Sequence, residues 1–484
     1  MLTRKTKILA TVGPSSESVS VLVSMIQAGV NVFRMNFSHG DHAEHAKRLA
    51  NIRAAIAQSG QTVGILQDIS GPKIRIGKLS HAVELMAGET LLFSKTSTEC
   101  TTLKGQLTLG LNRPEVLAKV AVGDAIYLYD GKIRTRVTAI DAHTVTTRIE
   151  NRGVLSSNKG VNFPNTRLGI DVLTEKDKAD ILWGIANGVD FMAISFVQTA
   201  RDIEQVREYV KSSGGDVHIY AKIEKFDAVE NIDEIILVSD GIMVARGDLG
   251  IETPYYGVPL IQKEIIAKAN DMAKPVITAT QMLISMTENE MATRAEISDV
   301  ANAVLDGTDA VMLSEETAVG LNPAHVVHTM AQTIMAVEQK YPYGKHQTLD
   351  HHDDTDIIMH SMTRLAQSLN VEAVFALTGS GRSAVKMSRY RIKTPIITSA
   401  HDERVMRRLT MVWGLYPFKP VKKDIMHNML GEMLRNFEAV GLLNHAKTYI
   451  AVAGYPAGVP GTTNFMRILK ADEINHYMTN TYLN

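Results

Sequence analysis

Six separated points in the chain carry residues able to do chemistry. They are Arg34-Met-Asn36-Phe-Ser38-His39, Asp68, Lys222 with Glu224, Arg246-Gly247-Asp248, Thr280-Gln281 and Ser314-Glu315-Glu316. Glu224 and Asp248 would be a usual protein share of a Mg²⁺ or Mn²⁺ shell, with substrate oxygens and water completing it. Arg34 and Lys222 add two cations beside that metal, which suits an anionic, phosphorylated substrate. The glycines of Gly247-Asp248-Leu-Gly250 would let backbone N–H groups approach a carboxylate closely. Asn36, Ser38 and Asp68 offer three oxygen donors and one negative charge, a set able to hold a monovalent cation. Each group also has a plainer reading: strand-end charges, salt-bridge partners, a simple turn, or helix caps.

These residues gather only if the elements beneath them converge. In IYAKIE, period-two alternation puts Tyr220, Lys222 and Glu224 on one face and Ala221 and Ile223 on the other. Strands are expected at 7–13, 32–38, 63–69, 190–197, 218–224, 240–247, 275–281 and 309–315, each followed by a helical pattern. That rhythm predicts a (β/α)8 TIM barrel, with a doubly wound open sheet as the rival. Chemistry in such a barrel sits at the C-terminal strand ends, where all six points fall. Between strands three and four the rhythm gives way to β signals, with a hairpin turn at Asp130-Gly131. The expected division is a catalytic barrel over 1–71 and 168–344, a β-rich inserted domain over 72–167, and a C-terminal α/β open-sheet domain over 345–484.

Composition narrows the function. Lys and Arg number 51 against 52 Asp and Glu, which gives no bulk signal for nucleic acid or an anionic membrane. The one cysteine, Cys100, excludes an intrachain disulfide and fits a reducing compartment. The N-terminal stretch lacks an apolar signal core, and no window approaches the ~20 apolar residues of a membrane span, so a cytoplasmic protein is expected. TGSGRSA (378–384) reads either as a capped turn or as a lone-phosphate site at a helix N-terminus, with Ser380, Arg382 and Ser383 as donors. The run from Lys345 to Asp356, with His351 and His352, reads as a solvated linker, and Met426, Met429 and Met433 as core.

The segments KILATVGPSS, NVFRMNFSHG, DISGPKIRIG, SNKGVNFP, LTEKDKADI, AKIE, DGIMVARGDLG, ITATQMLISM, ATRAEISDVANAVLDGTDAVMLSEETAVG and TGSGRSA together resemble the pyruvate kinase family, in order and over nearly the whole chain. The resemblance implies transfer of a phosphoryl group from phosphoenolpyruvate to ADP, with the inserted domain acting as a lid. It implies that Lys222 stabilises the phosphoryl group and the enolate, Arg34 contacts the phosphate, and Glu224 and Asp248 hold Mg²⁺. Gly247, Asp248 and Thr280 would hold the substrate carboxylate, and Thr280 with Ser314 would route the proton. Asn36, His39, Arg75 and Lys159 match nucleotide contacts; Asn36, Ser38, Asp68 and the Ile69 carbonyl match K⁺ ligands. A homotetramer and a phosphorylated effector are also implied, the effector held by Thr378, Ser380, Arg382 and Ser383, and the loop at 458–464 suggests the same activator.

Two positions depart from the family pattern. Lys73 stands where K⁺-dependent members often have glutamate, and Glu315 adds a charge where a small residue is usual. A Mg²⁺-dependent lyase or aldolase on a related barrel, and a non-catalytic sensor of phosphorylated metabolites, are the competing functions. The lyase leaves the lid lysine and paired arginines unexplained, and the sensor leaves Lys222, Glu224, Asp248 and Thr280 without a task. The Lys73 ammonium is expected to replace the charge of K⁺. Turnover measured with K⁺ exchanged for a tetraalkylammonium salt should therefore persist; a large loss would count against this.

Overall fold

A computed structural model describes residues 4–103, 105–344, 353–421, 425–454 and 463–480. The predicted His351-His352 pair and most of the loop at 458–464 lie outside the described residues.

Eight parallel strands close into a barrel: Lys7–Thr11, Val32–Asn36, Gly64–Ile69, Phe191–Ile194, His218–Ile223, Gly241–Ala245, Val276–Ala279 and Ala310–Leu313. The first strand pairs with the last, Lys7 opposite Ala310, so the sheet has no edge and the open-sheet rival falls. Strand side chains divide by parity. Leu9, Val32, Leu66, Ala193, Tyr220, Met243, Ile277 and Met312 fill the interior. Ile8, Ile65, Ile219, Ala221, Ile223 and Val311 pack outward against the helices. The helices start where the sequence offers caps. Thr174 with Asp177 and Thr293 with Glu296 form capping boxes, and Asp41 accepts from Ala43 and Glu44. Glycine ends two of them in left-handed backbone, Gly60 at φ 65° and Gly307 at φ 102°.

The inserted segment forms a seven-stranded sheet and a two-stranded sheet around its own core of Leu91, Phe93, Ile126, Leu128, Ile133 and Val145. Its hairpin joins Ala125–Leu128 to Ile133–Ile140 through Tyr129, Asp130 and Gly131, all with positive φ. The C-terminal unit is a five-stranded sheet in the order Leu415–Pro417, Ile396–Ser399, Val374–Leu377, Tyr449–Gly454, Thr463–Leu469, parallel except for the last. Three of its elements escape the sequence pattern. Leu415–Pro417 is three residues long and contains proline, Thr463–Leu469 is a largely exposed edge strand, and helix Ala471–Thr479 follows it. The segment read as linker through Asp356 gives way earlier: Asp353 caps a helix that starts at Asp354. A short helix, Glu403–Leu409, is capped by Asp402. Among the described residues, no helix is long and apolar enough to cross a membrane.

One buried ion pair docks the C-terminal sheet on the foot of the barrel. Asp309, just before the eighth strand, accepts from Arg391 at 2.8 and 3.2 Å, from the Trp413 amide at 2.9 Å and from the Val276 amide at 3.1 Å. Met411 joins the interior barrel cluster. Asp309→Ala would strand the Arg391 guanidinium without its counter-ion, a loss of about 3–5 kcal/mol for a buried pair. A thermal scan should show a melting point lower by about 5 °C or more.

Candidate active site

The inward-facing rows of the barrel turn polar one step above the apolar floor. Leu9 is followed by Thr11, Val32 by Arg34, Leu66 by Asp68, Ala193 by Ser195, Tyr220 by Lys222 and Met312 by Ser314. Hydrogen bonds join most of this ring. Arg34 donates from Nε to Asp68 Oδ2 at 2.7 Å and from Nη1 to Thr11 Oγ1 at 3.0 Å. Lys222 Nζ reaches Ser195 Oγ at 2.7 Å, Glu224 Oε1 at 2.9 Å and Asp68 Oδ1 at 3.1 Å, with 12% of its side chain exposed. Burial alone would lower the Lys222 pKa, but the Asp68 and Glu224 carboxylates reverse this and hold it above the ordinary lysine value. Burial likewise works to raise Asp68, and the Lys222 and Arg34 charges overcome it and keep the carboxyl low.

Glu224 accepts the Phe196 amide at 2.8 Å, and Phe196 holds left-handed backbone at φ 60°. A phenylalanine there is strained, and the hydrogen bond to the carboxylate helps to hold it. Burial raises the Glu224 pKa, and the Asp248 charge adds to the rise. Asp248 itself is half-buried and has no hydrogen-bond or ion-pair partner among the described residues. The stretch Gly247-Asp248-Leu-Gly250, read from sequence as a glycine-rich turn, is helical: Arg246–Glu252 forms a helix with Asp248 in its first turn. Gly247 N donates to Thr280 Oγ1 at 2.9 Å. Thr280 and Gln281 both have positive φ. Arg246 pins that backbone, donating to the Ala279 carbonyl at 3.2 Å and the Thr280 carbonyl at 2.7 Å while pairing with Asp299 at 2.7 Å.

Ser314 Oγ is buried without a hydrogen-bond partner among the described residues. Glu316 is wholly buried and ties the seventh and eighth strand ends together, accepting from Leu283 N at 3.1 Å and Ser314 N at 2.7 Å, whereas Glu315 is exposed. Three of the four expected K⁺ ligands are engaged within the protein. Asp68 is held by Arg34 and Lys222, Asn36 Oδ1 by the Ser38 amide at 3.1 Å, and the Ile69 carbonyl by Ser195 Oγ at 2.7 Å. Ser38 and His39 are exposed on the loop after the second strand. Below that loop His45 stacks on Phe37 at 3.8 Å, and Lys176 donates to the Phe37 carbonyl at 2.8 Å. Arg75 donates to the Asn158 carbonyl at 3.1 Å, and Lys159 lies 4.2 Å from the Tyr129 ring centroid. Lys73 stands 3.9 Å from Asp130. In the C-terminal unit Thr378 Oγ1 accepts Gly381 N at 2.9 Å and lies 3.4 Å from Ser383 Oγ. Ser380 is exposed, and Arg382, also exposed, lies 3.6 Å from Asp353. Sequence reasoning passed over Thr11 and Ser195, and it named Arg246 and Glu316 at their strand ends without a task. The first two were legible as inward positions two residues beyond Leu9 and Ala193; the partners of the other two needed the structure.

Two buried cations held against carboxylates gather at the strand ends of a TIM barrel that carries a β-rich inserted unit, the arrangement of a barrel enzyme. Comparison with known proteins gives the class more closely. Residues 3–327 match the family model "Pyruvate kinase, barrel domain" and residues 356–469 match "Pyruvate kinase, alpha/beta domain". The chain is 44% identical to pyruvate kinase of Geobacillus stearothermophilus over 96% of its length and 80% of the relative's. It is 40% identical to pyruvate kinase 2 of a Synechocystis strain, over 96% and 79%. A crystal structure of a pyruvate kinase from Cryptosporidium parvum superposes with a TM-score of 0.90 at 33% identity, over 97% of this chain and 96% of the other. The chain belongs to the pyruvate kinase family of phosphotransferases.

His45 gives the loop above it a pH-dependent support. Burial, aided by Arg48, lowers its pKa from 6.5 to about 4. The unfolded chain therefore binds this proton first, and stability falls as pH drops from 6.5 to about 4. His45→Phe keeps a ring for the stack and should flatten the stability slope between pH 7 and pH 5 in denaturant titrations.

Proposed function

We propose that the chain carries out the pyruvate kinase reaction, moving the phosphoryl group of phosphoenolpyruvate to ADP, with Lys222 at the centre of the transfer. The bond from phosphorus to the enol oxygen breaks, a bond to a β-phosphate oxygen of ADP forms, and the enolate takes a proton at carbon to give pyruvate. The migrating group is negative throughout, so the protein's task is positioning and positive charge. Lys222 and Arg34 supply that charge from one connected network. Their common partner Asp68 holds both side chains against the barrel wall, so little rotamer freedom remains to be lost when substrate arrives.

Glu224 and Asp248 fit Mg²⁺ or Mn²⁺. Both are oxygen donors, Asp248 has no competing partner among the described residues, and its charge is felt at Glu224. When bound, such a cation adds positive charge at the phosphoryl oxygens. The amides of Gly247 and Asp248 lie in the first turn of a helix, without intrahelical partners, and a substrate carboxylate would join Thr280 Oγ1 as an acceptor there. A Cβ on Gly247 would lie 3.5 Å from Thr280 Oγ1, within the space a carboxylate would approach. Thr280 and the Ser314 hydroxyl, which has no partner among the described residues, form the proton route to the enolate carbon. On the nucleotide side we place Asn36, His39, Arg75 and Lys159, the last two on the 72–167 lid. Lys73, beside Asp130, takes the role of a monovalent cation.

A phosphorylated effector at Thr378, Ser380, Arg382 and Ser383 and a cytoplasmic homotetramer complete the reading. Exposed Tyr255, Tyr256, Leu260, Met291 and Leu321 are the kind of surface that self-association covers. The observation that carries the assignment is the Lys222 ammonium, held charged by two carboxylates at the mouth of the barrel. Lys222→Met, assayed for ATP formed from phosphoenolpyruvate, ADP and Mg²⁺, should lose about 100-fold or more in kcat. A variant that keeps a tenth of the turnover would remove Lys222 from the centre of the reaction.

A further inference from the structure

The last lid strand, Val161–Asn162, returns the chain toward the barrel and pairs with the strand Ala125–Leu128. At its end Asn162 stays paired with Tyr127 through its backbone while its side chain turns to the barrel. Its amide nitrogen donates to Glu252 Oε1 at 2.9 Å, with both residues buried. The other carboxylate oxygen of Glu252 takes Lys225 Nζ at 3.4 Å, in an ion pair whose members are 7% and 5% exposed. Glu252 is the last residue of the helix that carries Gly247 and Asp248, and Lys225 directly follows Glu224. The three side chains meet at the root of the lid. They line a cavity of about 30 Å³, room for about one water, together with Lys73, Phe196 and Gln198. Phe196 is the residue whose amide holds Glu224.

We propose that Glu252 is a positioning residue that couples the lid to the metal site, with Asn162 and Lys225 as its two handles. A carboxylate buried this deeply needs both partners. If the lid root moves away, Oε1 loses its donor, and the helix end and Lys225 readjust. The helix end is four residues from Asp248, and Lys225 is adjacent to Glu224, so the readjustment changes the spacing of the two metal-binding carboxylates. By linkage, a lid position that favours the cation is in turn favoured by it. None of the three side chains touches substrate in this scheme; they act through Glu224 and Asp248.

The inference rests on the assignment of those two carboxylates as metal ligands, so the test separates the two. Mn²⁺ serves as the probe, its binding to the full chain without substrate followed by electron paramagnetic resonance. Asn162→Ala removes the lid's handle, and the near-isosteric Asn162→Asp sets a like charge against Glu252. Asp248→Asn reports on the metal site itself. Both Asn162 variants should weaken Mn²⁺ binding by about fivefold or more, with Asn162→Asp the weaker binder, while Asp248→Asn loses most of the binding. In steady state the Asn162 variants should need more Mg²⁺ for half-maximal rate and recover wild-type kcat once saturated. Wild-type Mn²⁺ affinity in both Asn162 variants, with Asp248→Asn impaired, would overturn the coupling alone. Wild-type affinity in Asp248→Asn would overturn the metal assignment, and the coupling with it.

Discussion

A single buried carboxylate organises the mouth of this barrel. Asp68 lies between Arg34 and Lys222 and holds both by direct hydrogen bonds. Without Asp68, two cations in contact would repel each other in a medium that screens poorly. Without the cations, Asp68 would be driven toward its neutral form. The three charges are mutually necessary, and each sits on a different strand. Strands two and three are neighbours, and the curvature of the barrel brings Lys222 of strand five, with strand four between, to the same carboxylate.

The same geometry explains why the site is stiff. Below the polar ring, Leu9, Val32, Leu66, Tyr220 and Met243 fill the barrel and leave the charged layer nowhere to sink. Around it, backbone in sparsely populated conformations is held by neighbours: Phe196 by Glu224, and Thr280 by Arg246. Such strain persists where the surroundings determine it several times over. Arg246 and Glu316 serve in this way, each joining the ends of adjacent strands.

Much of this was legible in the residue order, for identifiable reasons. Barrel strands are short apolar runs at regular spacing, and period-two alternation then decides which side chains reach the mouth. Lys222 and Glu224 could be placed on a common face from IYAKIE alone. The pairing of Arg34 with Asp68 could not, since it depends on where two strands end relative to each other. Nor could the helical state of Arg246–Glu252, because its two glycines read as a turn and only packing against the barrel rim makes it a helix. In the C-terminal unit, the edge strand Thr463–Leu469 carries too much exposed polar surface to look like a strand in isolation.

The docking of the C-terminal sheet through Asp309 has a consequence for how the molecule can be divided. Arg391, Trp413 and Met411 close the end of the barrel opposite the catalytic mouth, and Lys7 sends its ammonium to the Leu415 carbonyl. A barrel severed near residue 340 would have its underside flooded, with the Asp309 carboxylate deprived of its guanidinium and an apolar slot open where Met411 had been. The half that holds the chemistry is therefore not autonomous. Its floor is supplied by the other half of the chain, and whatever shifts that floor presses on the same column of side chains that supports Lys222.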